Sequence, residues 1–111
     1  MLPKFQRLTT RQFEEVMKKG RVAHSSLFLF RVTPNQKDTK ISAVAPVKIA
    51  KKAFLRNQIR RNIYNALEPL IEKVLPGIWT AIFAKSDISE MSIDQIRQDI
   101  DTFLSKNKMY K

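Results

Sequence analysis

Apolar and polar positions along this chain follow two periods, one near 3.6 residues and one near 2, and the switches between them mark its elements. The first six residues read as an extended arm that packs through Leu2 or Phe5. Helical spacing begins after it, with Phe13, Val16 and Met17 in one stripe and Gly20 as a C-terminal stop. Thr9 and Gln12 have capping-box spacing, and Leu8 with Phe13 has that of a hydrophobic staple. The period then shortens. Residues 22–24 read as a short strand and residues 27–33 as a longer one, with Phe28, Phe30 and Val32 on one face and Leu27, Leu29 and Arg31 on the other. Two apolar faces predict a central strand, or one with a partly exposed aromatic platform. After a polar turn at residues 34–39, residues 41–47 return as its antiparallel partner, closing at Pro46, which has no N–H for the ladder.

The helical period resumes over residues 51–68, where Leu55, Ile59, Ile63, Ala66, Leu67 and Leu70 share one side. Pro69 kinks or restarts this helix, and Pro76-Gly77 stops it. The run IWTAIFA at residues 78–84 has the branched and aromatic content of a buried strand. A long helix precedes it, so it can pair in parallel with residues 41–47 through a βαβ crossover. Ser92 and Gln95 then form a second capping box ahead of an amphipathic helix built on Ile93, Ile96, Ile100, Phe103 and Leu104. Asp94, Asp99 and Asp101 make that helix the acidic face. The expected order is αβββαβα, an α+β sandwich on one small four-stranded sheet, in a single domain spanning residues 1–111.

Charge changes the picture. With 21 Lys and Arg against 10 Asp and Glu the formal net charge is +11, the footprint of a nucleic-acid binder. The excess is concentrated: Lys48, Lys51, Lys52, Arg56, Arg60 and Arg61 fall within fourteen residues, and no acid occurs between Asp38 and Glu68. Like charges this dense mark either a solvated face or a polyanion-binding surface. Because the helix carries them at its N-terminal end, where free N–H groups already make the potential positive, phosphates would relieve a local penalty. Asn57, a poor helix-interior residue, lies among the arginines and suggests a polar contact.

Other chemistry is thinly represented. The chain has no cysteine, which excludes disulfides, thiol catalysis and Cys-bound zinc, and is compatible with a reducing cytoplasm. Its single histidine, His24, sits in a polar context and reads as solvent-exposed; Ser25-Ser26 has no acid or base nearby in sequence. Two glycines cannot build a phosphate loop. No segment approaches the about 18 apolar residues of a membrane span, and no apolar signal core opens the chain. Neither a membrane nor DNA is expected as partner, the latter because helix–turn–helix spacing is missing. Any catalysis would come from a partner.

The stretch KIAKKAFLRNQIRR at residues 48–61 resembles the arginine-asparagine-arginine helix of the bacterial ribonuclease P protein component, with Gln58 in place of the second arginine. Residues 8–20 resemble that family's first helix, residues 27–30 and 41–47 its strands, and residues 78–85 its last strand. The resemblance implies a fold like domain 2 of a small-subunit ribosomal protein, with a left-handed βαβ crossover. It also implies the protein subunit of a ribozyme that removes 5′ leaders from precursor tRNA, hydrolysis being done by the RNA with Mg²⁺. Carried over singly, Lys48, Lys51, Lys52, Arg56, Asn57, Arg60 and Arg61 match contacts to the catalytic RNA, and Phe13, Met17, Phe28 and Phe30 match a cleft for the single-stranded leader. A ribosomal-type or RNA-chaperone protein with no part in cleavage is the alternative.

Overall fold

The computed structural model describes residues 6–34 and 36–111. The arm expected to pack through Leu2 or Phe5 therefore lies outside the described residues, Gln6 excepted. Eight elements follow: α1 (Thr10–Lys19), β1 (Arg21–His24), β2 (Phe28–Thr33), β3 (Lys40–Val44), α2 (Ala53–Leu67), a 3₁₀ turn (Ile71–Lys73), β4 (Trp79–Ala84) and α3 (Ile93–Lys106). This is the expected αβββαβα order.

Local chemistry accounts for the ends of α1. The Thr9 hydroxyl accepts the Gln12 N–H at 3.2 Å while the Gln12 side chain accepts the Thr9 N–H at 2.9 Å, a complete capping box. Gly20 ends the helix for a reason other than a left-handed backbone. Its φ of −68° is extended, but a Cβ there would lie 2.4 Å from the Val16 carbonyl oxygen. Gly77 does need its freedom, with φ at 84°. At α3, Ser92 accepts the Gln95 N–H at 3.2 Å, but the Gln95 side chain meets the serine hydroxyl rather than the backbone, so the box is only half formed.

Strand order departs from the expected hairpin. The four strands run β1-β2-β4-β3, with β1 and β4 antiparallel to β2 and β3 parallel to β4. The strand at residues 40–44 does not pair with β2 across the polar turn, because β4 inserts between them. β4 fits there since it is buried along most of its length. The parallel β3-α2-β4 crossover is as expected. Pro69 ends α2 rather than kinking it, and Leu70 and Ile71 carry the apolar face on into the 3₁₀ turn.

One face of the sheet holds the main core. Ile59, Ile63 and Leu67 of α2 and Ile96, Ile100 and Leu104 of α3 pack there with Phe28, Phe30, Ile41 and Ile82, all nearly or fully buried. Each such side chain contributes about 1.5–3 kcal/mol on burial. Phe30 stacks on Phe103 with centroids 3.6 Å apart and planes 5° from parallel. Asp99, expected on a solvated acidic face, instead accepts from the Ser25 hydroxyl at 2.5 Å and pins the β1–β2 turn to α3. Ser25 thus has an acidic partner, but its oxygen also accepts the Phe28 N–H, which makes it a turn residue. The chain end returns to the core through Tyr110, whose bridge to Val74 and bond to Asp101 accompany a phenol pKa raised by burial first and Asp101 second.

Candidate nucleic-acid interface

The other face of the sheet carries α1 and a groove. Strand alternation turns Leu29 and Arg31 of β2 and Phe83 of β4 toward α1, as the pairing of Leu29 with Phe83 and Arg31 with Ala81 requires. Met17, Leu29 and Phe83 form an apolar floor, while Arg31, Lys48 and Lys85 bring positive charge and Pro46 and Ala84 complete the wall. The volume is about 320 Å³. Arg31 is held in place by donating to the Met17 carbonyl at 3.2 Å.

Two of the residues matched to the leader cleft are therefore on the wrong side. Phe28 and Phe30 are fully buried against α3, with no surface to offer a ligand. Alternation showed that they share a face but not which face meets α1. Met17 does line the groove, 36% exposed. Phe13 stands behind it, half-buried, with its ring 6.2 Å from that of Phe83. Phe83 was missed; its place opposite Leu29 in the ladder is visible only once β4 is known to pair with β2.

The cationic stretch surrounds the start of α2. Lys52 occupies the N-cap without a side-chain bond to the helix, and the first turn has no acid. The helix end is thus left with uncapped N–H groups and basic neighbours, a ready site for anions. Lys48, Lys51, Lys52 and Arg61 are exposed, and Arg60 is half-exposed. Among the described residues none of the six cations of residues 48–61 pairs with a carboxylate.

Within that surface the side chains divide their work. Arg56 does not project past the sheet edge as helical geometry suggested. It folds back to donate to the carbonyls of Ala50 at 3.0 Å and Lys51 at 2.7 Å, fixing the loop that presents the lysines. The Asn57 carboxamide oxygen accepts from Arg60, which orients that guanidinium. Gln58 turns inward and donates to Asn62 at 2.8 Å. Asn62, only 5% exposed, in turn donates to the carbonyls of Ile88 and Ser89 and ties α2 to the β4–α3 loop. The i, i+4 spacing of Gln58 and Asn62 was the available signal for that link. His24 is exposed on β1, as expected.

Lys48 connects the two features. It begins the cationic stretch and also lines the groove, so the positive surface runs from α2 to the rim of the apolar floor.

Comparison with known proteins agrees with this architecture. A sequence model of the Ribonuclease P family matches residues 2–108. The Ribonuclease P protein component of Rippkaea orientalis is 29% identical over 115 residues, covering 97% of this chain and 91% of that one. That of Picosynechococcus sp. is 27% identical over 111 residues, covering 98% and 96%. Among solved structures, the RNase P protein of Staphylococcus aureus superimposes with a TM-score of 0.78 at 20% identity, covering 96% of this chain and 98% of that one. The RNase P protein of Thermotoga maritima gives 0.76 at 19% identity, covering 90% and 96%. At those identities the structural likeness establishes the fold, and the sequence model establishes the kinship: this chain belongs to the Ribonuclease P protein family.

Proposed function

We propose that this chain is the protein subunit of ribonuclease P, that it binds the catalytic RNA through the start of α2, and that it holds the 5′ leader of precursor tRNA in the groove between α1 and the sheet. The observation that carries this reading is the continuity of the two surfaces through Lys48. A structured RNA is bound by its phosphates, which need an unneutralised cationic patch. Single-stranded leader bases need an apolar or aromatic floor with cations at its rim. A ribosomal-type protein that binds only folded RNA would need the first surface only.

In the corrected assignment Lys48, Lys51, Lys52, Arg60 and Arg61 meet RNA phosphates, Arg56 and Asn57 position them, and Met17, Leu29 and Phe83 receive leader bases with Phe13 as support. Hydrolysis is the work of the RNA with Mg²⁺. In this reading the part of the chain is binding and orientation; among the described residues no group of three or more His, Cys, Asp and Glu side chains could hold a metal ion. No helix among the described residues is long and apolar enough to cross a membrane, and the reading places the protein in the cytoplasm with its RNA partners.

The groove gives an asymmetric prediction. Phe83→Ala should weaken holoenzyme binding to precursor tRNA by roughly tenfold, since base–aromatic stacking is worth about 1–3 kcal/mol and about 1.4 kcal/mol is tenfold. Affinity for mature tRNA, which has no leader, should barely change. Met17→Phe should hold or improve the preference, because a ring stacks more specifically than a thioether. Equal losses for the two tRNAs, at unchanged assembly, would show that Phe83 serves packing alone.

A further inference from the structure

Phe54 lies in the first turn of α2, 65% exposed, and takes no part in the core. A lone exposed apolar residue is ordinary. Its setting is less so. The Lys52 ammonium lies 5.8 Å from the ring centroid, within cation–π range, and the ring borders a groove of about 450 Å³. Leu55, Asn57, Gln58, Arg61, Ser89 and Glu90 complete the lining.

We propose that Phe54 and this groove take one unpaired nucleobase of the RNA partner, stacked on the phenyl ring with its edge toward Asn57 and Gln58. The inference rests on the reading that the start of α2 binds ribonuclease P RNA. A phosphate uses cations and N–H groups, and a phenyl ring offers it nothing. A base inside a helix hides its faces from side chains, whereas an unstacked one is free to lie on an aromatic ring. The polar lining suits a base edge. Asn57 gives its oxygen to Arg60 and keeps its amide N–H₂, while Gln58 gives an N–H to Asn62 and keeps its oxygen, so the lining offers both a donor and an acceptor. Glu90, an acid in the lining, repels phosphate from the groove itself and leaves the backbone to the cations outside it. A second copy of this chain is disfavoured as occupant, because it would bring together two chains of net charge +11 at their cationic helix ends.

The test is equilibrium binding of the full-length chain to a bacterial ribonuclease P RNA across a salt series. Phe54→Ala should lose roughly tenfold in affinity at every salt concentration, with the slope of log affinity on log salt unchanged, because no phosphate contact is removed. Phe54→Leu should lose about as much, and Phe54→Trp should bind at least as tightly as the parent. The side chain is exposed, so the melting temperature should stay near that of the parent. Parent-like affinity in Phe54→Ala, or full affinity in Phe54→Leu, would overturn the inference and leave the phosphate reading standing. A Phe54→Ala variant that loses self-association but not RNA affinity would assign the groove to a second copy and overturn it too. Failure of the parent chain to bind that RNA at all would remove both readings together.

Discussion

Affinity for ribonuclease P RNA is expected to fall roughly 10²- to 10³-fold as monovalent salt rises from about 50 to 200 mM. The number follows from the start of α2. Of the six cations in residues 48–61, Arg56 is engaged with the carbonyls of Ala50 and Lys51, which leaves five to neutralise phosphates. Each phosphate contact releases condensed counterions and adds about −0.9 to the log–log slope, giving a slope near −4.5. Filter binding over that range measures it directly. The side chains differ in what they contribute: Arg61→Ala should reduce the slope by about one, whereas Arg56→Ala should act mainly by loosening the 50–51 loop. A flat salt response would mean that this helix end is a solvated face and nothing more.

Ile59→Ala is expected to lower the stability of the fold by about 2–5 kcal/mol, the cost of a cavity in a core that repacks only partly. Ile59 has no exposed surface and lies at the centre of the α2 face that meets the sheet. Arg61, two residues on, points away from that core into solvent. Its replacement by alanine should leave stability within about 0.5 kcal/mol of the parent, as surface changes usually do, while weakening RNA binding. Chemical denaturation of both variants beside one binding measurement separates packing from recognition on a single helix. If Arg61→Ala proved as destabilising as Ile59→Ala, the facing of α2 would be wrong and the cationic surface with it.

Much of this molecule can be read from its residues because its local signals agree. The Thr9–Gln12 box, the apolar stripe of α2 and the acid-free window each depend on neighbours in sequence, and each appears where spacing puts it. What escaped depends on partners distant in sequence. Phe28 and Phe30 share a face by alternation, but only the docking of Phe103 of α3 onto Phe30 decides that this face is the core. Phe83 becomes a groove residue by the same choice of face. The polar turn at residues 34–39 looked like a hairpin, yet β4 slips between the two strands it joins, since a buried apolar strand gains more in the middle of a sheet than at its edge. The family resemblance groups Arg56 with the RNA contacts, but the backbone carbonyls of Ala50 and Lys51 within reach claim it instead.

The central claim, that this chain serves a ribozyme rather than RNA in general, is tested most directly by Mg²⁺ dependence. Cleavage of precursor tRNA by a bacterial ribonuclease P RNA would be followed across a Mg²⁺ titration, with and without the protein. A subunit whose cations offset RNA phosphates and whose groove secures the leader should shift the titration to lower Mg²⁺, and the shift should shrink for a precursor with its leader trimmed. A protein that binds the RNA yet leaves the Mg²⁺ midpoint unmoved would contradict the account and favour a binding protein with no part in cleavage.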